Sequence, residues 1–325
     1  AVLTPQETEE LFRQLLILKE HGHTVIFISH KLKEIKQICD RITIMKNGRS
    51  VGTYDMKDMD IRKISRLMVG RDVVSSIEKK PADPNRTLLK VEHLSCSNDE
   101  GTPVLKDVSF SVRGGEIVGV AGVEGNGQTE LVECITGSRR EYTGNIVLQG
   151  NSIRNKSIFR IRRGGMSHIP EDRMTQGLAG DATIEENLIA DKMGLPSIGW
   201  GPVLSGKKIR SGADRLIEQF RIKCSSGKQM VSMLSGGNMQ KVVVAREVSS
   251  NPMVMVANQP TRGVDVGASE FIHEKLVELR DSGKAVFLVS ADLNEAIELS
   301  DSLMVLYGGE IVAWFPDASK VDERE

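Results

Sequence analysis

Residues 116–135, EIVGVAGVEGNGQTELVECI, run from an apolar stretch through a glycine-rich turn into a helical pattern. Gly122, Gly125 and Gly127 are spaced as in G-x-x-x-x-G-K-[ST], where missing side chains let backbone N–H groups close around phosphate oxygens at a helix N-terminus. The lysine place holds Gln128. A lysine would neutralise β- and γ-phosphates, whereas glutamine offers only a neutral donor, so developing charge is less well met. Thr129 keeps a hydroxyl as a weak Mg²⁺ ligand. Taken alone, the turn is equally an ordinary tight strand-to-helix connection. A second run, Leu234-Ser235-Gly236-Gly237, opens another helical pattern. Ser235 and the N–H groups of Gly236 and Gly237 there form either an anion nest or a plain helix cap. An apolar run then ends in Asn258-Gln259-Pro260-Thr261, with Asp265 shortly after.

These residues need strand ends and helix starts to hold them. Strands are predicted at LLKVEHL, EIVGVAG, GNIVLQG, GMSHIP, MVMVA and KAVFLVS. Helices are predicted at QTELVECIT, GADRLIEQFRI, GNMQKVVVAREVS and SEFIHEKLVELRDS. That alternation implies an α/β sheet with helices on both faces and a helical insertion around 177–235.

The chain also repeats itself. A shift of 261 residues pairs Ser29 with Ser290, Leu32 with Leu293, Glu34 with Glu295, Asp40 with Asp301 and Gly48 with Gly309, without a gap. Upstream it pairs Leu15, Leu18 and Gly22 with Leu276, Leu279 and Gly283. So long a period in 325 residues implies one full unit preceded by the tail of another. On this reading roughly 170 residues of the first unit lie upstream of Ala1. The division expected is 1–73 for the tail, 74–87 for a linker and 88–325 for the full unit. Prolines, small residues and charges in the linker favour an extended, hydrated connection.

The segments LSGGNMQK (234–241), PTRGVDVGA (260–268), PEDR (170–173) and ISHKLKEI (28–35) occur in an order that resembles the ATP-binding cassette (ABC) proteins. The resemblance is to the double-cassette subunits of bacterial importers for simple sugars and nucleosides, and it covers nearly the whole chain. It implies a P-loop NTPase-like cassette with a central mixed sheet, flanking helices and a helical subdomain about 177–235. It further implies ATP and Mg²⁺ as ligands, with nucleotide contacts at Gly122, Gly125, Asn126, Gly127, Gln128, Thr129 and Glu130. In the family, Ser235, Gly236 and Gly237 face the nucleotide of the opposite cassette, and Asp265 lies in the loop between cassettes. His30 follows a strand expected at TVIFIS (24–29) and stands where the second cassette has Ala291, so it is placed as the first cassette's switch histidine rather than as an ordinary surface histidine.

Departures from the family pattern gather in one place. Asn258 replaces the aspartate that orients Mg²⁺, Gln259 the glutamate that activates water, Ala291 the switch histidine, and Glu171 a metal-contacting glutamine. Neither amide can act as a carboxylate base. The second cassette's own site is therefore expected to be degenerate, serving a competent site through Ser235 to Gly237. Expected partners are permease subunits, the missing first-cassette half and, indirectly, a periplasmic or lipoprotein substrate-binding protein. The expected location is the cytoplasmic face of the cell membrane. An alternative is a non-catalytic nucleotide-binding or docking module; a ribosome- or DNA-acting tandem cassette is disfavoured by the short linker. Catalysis by these residues alone is expected to be absent or very weak.

Composition agrees with a peripheral role. Lys+Arg 43 against Asp+Glu 44 gives a net charge of −1, so no global field draws the chain to nucleic acid, and none is expected as a partner. The five basic residues Arg154, Lys156, Arg160, Arg162 and Arg163 lack an aromatic ladder and read as a solvated helix face. His21 and His23 have no third ligand and read as solvent-facing. Cys39, Cys96, Cys134 and Cys224 form no Cys-x-x-Cys pair, which signals neither a zinc cage nor a disulfide framework and suits reduced thiols. No apolar run approaches the ~18–20 residues that span a bilayer, and the first ten residues are acidic rather than signal-like.

Overall fold

The computed structural model describes residues 5–29, 31–46, 48–69, 79–98, 100–193, 196, 198–200 and 203–321. His30 and the linker residues 74–78 fall outside them. The chain divides into two units, Ala1–Ser76 with Asp265–Glu270, and Ile77–Val264 with Phe271–Glu325.

In the larger unit, six strands form one sheet in the order Glu310–Phe315, Ser302–Tyr307, Glu116–Ala121, Ala285–Val289, Val254–Asn258, Met166–Ile169. The last five run parallel, and Glu310–Phe315 is an antiparallel edge strand. Glu116–Ala121, Val254–Asn258 and Ala285–Val289 are buried along their whole length, as continuous apolar runs in a covered parallel sheet must be. A parallel sheet of this kind offers its ligand crevice outside the carboxyl ends of its strands.

A second sheet is wholly antiparallel, in the order Pro103–Arg113, Thr87–Ser97, Thr143–Leu148, Asn151–Ser152. LLKVEHL and GNIVLQG therefore form a sheet of their own, whereas the sequence reading placed all its strands in one sheet. The two sheets share one core in which Phe110 stacks on Phe287 at 5.1 Å, with Leu131, Cys134 and Ile135 of the helix Gln128–Thr136 in the same cluster. The strand Pro103–Arg113 and the hairpin Ser302–Phe315 are further strands beyond those predicted. The insertion is helical as expected at Ile184–Ile189 and Gly206–Gln219, with a two-residue hairpin, Gly199–Trp200 against Val203–Leu204, between them.

The smaller unit repeats the end of the larger one at the same shift of 261. Helix Leu32–Ile38 matches Leu293–Leu299, and strands Arg41–Lys46 and Arg49–Asp55 match Ser302–Tyr307 and Glu310–Phe315. Each hairpin carries a bulge at the equivalent step, Ile44/Met45 and Val305/Leu306. Lys19 pairs with Asp40 at 2.7 Å as Arg280 pairs with Asp301 at 2.6 Å. The expected strand TVIFIS, residues 24–29, does not form: the segment is in no sheet, and Ile26 and Ile28 are 86% and 93% exposed. Its counterpart Ala285–Val289 sits between two hydrogen-bonded neighbours. Residues 24–29 have none among the described residues, and an apolar run without neighbours cannot satisfy its backbone as sheet.

The linker is anchored where it enters the larger unit: Lys79 Nζ donates to the carbonyls of Leu299 and Ser300, and Arg280 donates to that of Lys80. Residues 80, 81 and 83–87 are exposed.

Candidate functional site

Four strand ends open onto one edge of the parallel sheet. Ala121 leads into the glycine turn, Ile169 into Pro170 and Glu171, Asn258 into Gln259, and Val289 into Ser290 and Ala291. A cavity of about 730 Å³ lies there, bordered by Thr129, Glu171, Arg173, Asn258 and Arg262 among others.

The turn is built on backbone freedom. Gly125 and Gly127 have φ of 93° and 104°, and a Cβ on Gly127 would lie 2.7 Å from the Val104 carbonyl oxygen. Both places therefore demand glycine. Gln128 does not reach outward as a lysine substitute. It is buried, its Nε2 donating to the Val123 carbonyl at 3.0 Å and its Oε1 accepting from the Asn126 N–H at 3.1 Å. Asn126 in turn donates to Val123 O and accepts from the Gly308 N–H, each at 2.8 Å. One N–H that would otherwise face an anion is thus already satisfied inside the loop. Thr129 is exposed at the cavity rim, and Glu130 follows in the first helical turn.

Asn258 is buried at its strand end. Gln259 has φ of 51°, uncommon for a non-glycine residue, and its Oε1 accepts from the Ala291 N–H at 3.0 Å. Two of the altered positions therefore touch. Glu171 is ion-paired with Arg262, which lies 3.8 Å from Glu124 of the glycine turn. Ser235 caps the helix Gly236–Ser249 only by position: its Oγ accepts from Asn238 Nδ2 at 2.9 Å rather than from a helix N–H. Gly236 lies close to Arg173, whose Nη1 donates to the Arg262 carbonyl at 2.7 Å. Gly237 is buried in the first turn of the same helix. Asp265 accepts from the Ala268 N–H at 3.0 Å and starts the helix Val266–Asp281.

Sequence reasoning missed two features. Glu295 is a buried carboxylate that accepts from Thr261 Oγ1 at 2.6 Å, Ser290 Oγ at 2.5 Å and His273 Nε2 at 2.7 Å, tying two strand-end loops to one helix. Burial pushes its pKa up, but the hydrogen bonds and charge of His273 and the two hydroxyls outweigh this and hold it below the ordinary value. Glu34 and Ser29, at the equivalent places of the smaller unit, make the same hydrogen bond at 3.0 Å, so the repeat itself carried the signal. Farther into the cavity, Glu247 is buried between Arg162 and Arg246, each at 2.8 Å. Arg162 therefore points inward, and Arg154 rests over Tyr142, which leaves Lys156, Arg160 and Arg163 of the five predicted basic residues around a separate pocket.

A phosphate group fits this edge better than a metal ion does. Glycines keep side chains out of the turn, and Arg173 presents a buried Nε without a partner beside the cavity. Mg²⁺ prefers carboxylate and water oxygens. Here Thr129 and Asn258 are neutral, Glu171 is engaged by Arg262, and no three of His, Cys, Asp and Glu gather as a metal site among the described residues. No helix among these residues is long and apolar enough to cross a membrane.

Residues 105–262 match the ABC transporter family. The chain is similar to the nucleoside import ATP-binding protein NupA of Lactococcus lactis subsp. cremoris, 40% identical over 311 residues, which are 96% of this chain and 62% of NupA. It is also similar to the guanosine import ATP-binding protein NupO of Bacillus subtilis, 41% identical over 313 residues, 96% of this chain and 61% of NupO. The chain thus spans about three fifths of the length of these relatives. Its fold is similar to that of an ATP binding subunit of an ABC transporter, at a TM-score of 0.59 and 26% identity, over 70% of this chain and 89% of the other. A nucleotide-free cassette aligns at 0.58 and 24%, over 70% and 91%.

Proposed function

The chain carries an ABC transporter domain over residues 105–262, and from that premise we propose that it is the ATP-binding part of a bacterial importer for simple sugars or nucleosides. One observation supports this most. The glycine turn, Glu171, Asn258, Gln259 and Ala291 all lie at the carboxyl ends of neighbouring parallel strands, the place where such a sheet takes a ligand. The nucleotide's phosphates lie against Gly122, Gly125, Asn126, Gly127, Gln128, Thr129 and Glu130, with the start of the helix Gln128–Thr136 favouring their charge.

In this reading the site binds more readily than it hydrolyses. Asn258 and Gln259 offer amides where a base is needed, and Gln259 is already hydrogen-bonded to Ala291. Mg²⁺, expected with the nucleotide, finds no suitable donor set, so it is given no role in this site. Ser235, Gly236 and Gly237 serve instead a nucleotide held by the first cassette, where His30 is the switch residue, and Asp265 belongs to the loop between cassettes. The permease subunits receive the resulting movement at the cytoplasmic face of the membrane. A substrate-binding protein delivers the solute from the other side.

The self-bridged Gln128 favours a second reading, a cassette that binds nucleotide only to dock its partners. One experiment addresses both. A fluorescent ATP analogue is titrated into the chain and into Gly127→Val, whose added side chain would meet the Val104 carbonyl, and turnover is followed in parallel. Saturable binding lost in the variant supports a nucleotide site. Turnover near background is expected of both readings, robust turnover removes the docking role, and absence of binding in the unmodified chain removes both readings.

A further inference from the structure

The glycine turn has no cation of its own, because Gln128 stands at the lysine place and spends its amide on Asn126 and Val123. A guanidinium nonetheless borders the same cavity as Thr129 and Asn258. Arg262 has a fixed backbone: its N–H donates to Gln259 O at 3.1 Å, its carbonyl accepts from Arg173, and Thr261 before it is held by Glu295. Its side chain stays 34% exposed and is shared between Glu171 and Glu124 of the turn.

The other cations of the cavity are differently placed. Arg162 and Arg246 hold Glu247, whose side chain is 1% exposed, and separating such a pair would strand a buried charge. Arg173 gives its Nη atoms to the carbonyls of Arg262 and Gly263 and leaves its Nε without a partner, adding positive charge beside Arg262. Arg262 is held by two acids that reach solvent, with side chains 21% and 54% exposed for Glu171 and Glu124. Water can take those acids back at little cost. A terminal phosphate carries more charge than a carboxylate and matches the guanidinium fork, so it can compete for Arg262.

We infer that Arg262 supplies the cation the turn lacks, contacting the outer phosphates of a polyphosphate ligand, and that Glu171 holds it until that ligand arrives. For a nucleotide as the ligand the inference rests on the proposed function; for a polyphosphate as such it stands apart from it. The opposite signs of two substitutions separate this role from a structural one. Glu171→Gln removes both a competitor for Arg262 and a negative charge, so it should tighten binding at least fivefold. Arg262→Gln should weaken binding at least tenfold, with Arg262→Lys in between.

The test is calorimetric titration of the chain and these three variants with inorganic tripolyphosphate and, separately, with a non-hydrolysable ATP analogue, after thermal melts to check folding. Tighter binding in Glu171→Gln together with weaker binding in Arg262→Gln supports the inference. Equal affinity of Arg262→Gln and the unmodified chain, or weaker binding in Glu171→Gln, overturns it. If tripolyphosphate depends on Arg262 but the ATP analogue binds no more tightly, the inference holds and the nucleotide reading falls. If the unmodified chain binds neither, both fall.

Discussion

Gln128 is the residue at which loop closure and ligand affinity oppose each other. Its amide bridges the Asn126 N–H and the Val123 carbonyl, so it stabilises the turn and occupies one N–H that a phosphate would otherwise use. Gln128→Lys exchanges that bridge for a charge. It should tighten nucleotide binding by ~1.5–3 kcal/mol, the worth of a hydrogen bond to a charged group. Isothermal titration checks this, and unchanged affinity would mean that the turn stays shut. His168 makes a second residue-scale prediction. Burial lowers its pKa to about 4, against a raising effect of Glu247, while its Nε2 has no partner. Unfolding restores an ordinary value near ~6.5. Between these values the unfolded chain binds a proton that the folded one does not. Stability is therefore fully present above pH ~6.5 and is lost as pH falls toward 4, by at most ~1.4 kcal/mol per unit. Glu295, held below its ordinary value, contributes above pH ~4.3 and is lost only below it, outside the range in which His168 acts. Denaturant midpoints at pH 7 and pH 5 should drop in the unmodified protein and change much less in His168→Gln. Equal drops in both would assign the effect elsewhere.

The two copies of one element show what neighbours contribute to a strand. Ile28 and Val289 are equivalent by the shift of 261, yet Ile28 is almost fully exposed outside any sheet and Val289 is buried in the middle of one. Ile28→Asp should therefore change stability by less than ~0.5 kcal/mol, whereas Val289→Asp buries an unpaired charge and should cost more than ~4 kcal/mol. Thermal melts compare the two, and hydrogen exchange should run faster over 24–29 than over 285–289. This contrast also marks where the sequence was legible. Elements defined by their own pattern were readable: the buried runs EIVGVAG and KAVFLVS, the helix opened by Ser235, and the glycine turn whose positive φ angles only glycine adopts freely. TVIFIS has an equally good strand pattern, but a strand needs hydrogen-bonded neighbours, and no local pattern reports whether they are present. The assignment of LLKVEHL to a separate antiparallel sheet was hidden for the same reason, because partner choice is non-local. At the site, the identities of Asn258, Gln259 and Ala291 were readable, while the contact between Gln259 and Ala291 and the engagement of Arg262 by Glu171 required the fold to bring distant segments together.

At the scale of the molecule, the question is whether the chain can turn nucleotide over with what it contains. Hydrolysis needs a base to take a proton from water and a cation to meet charge on the departing phosphate. Asn258 and Gln259 cannot act as bases, and Glu171, a carboxylate on the same cavity, is held by Arg262 until a ligand arrives. Ordinary carboxylate substitutions therefore should not rescue turnover one at a time. Gln259→Glu alone would place its carboxylate on the Ala291 N–H that now binds the amide oxygen, away from any activated water. The triple variant Gln128→Lys, Asn258→Asp, Gln259→Glu restores a cation and two acids, so it should bind nucleotide at least tenfold more tightly. Its turnover should rise by much less, because the methyl group of Ala291 still offers no hydrogen bond to an outer phosphate. Steady-state phosphate release, measured beside equilibrium binding for the unmodified chain, the single variants and the triple variant, tests this order. Robust hydrolysis by the unmodified chain that disappears in Gln259→Ala would show that a side-chain amide suffices here and would overturn the assignment of this site as one that holds nucleotide without consuming it.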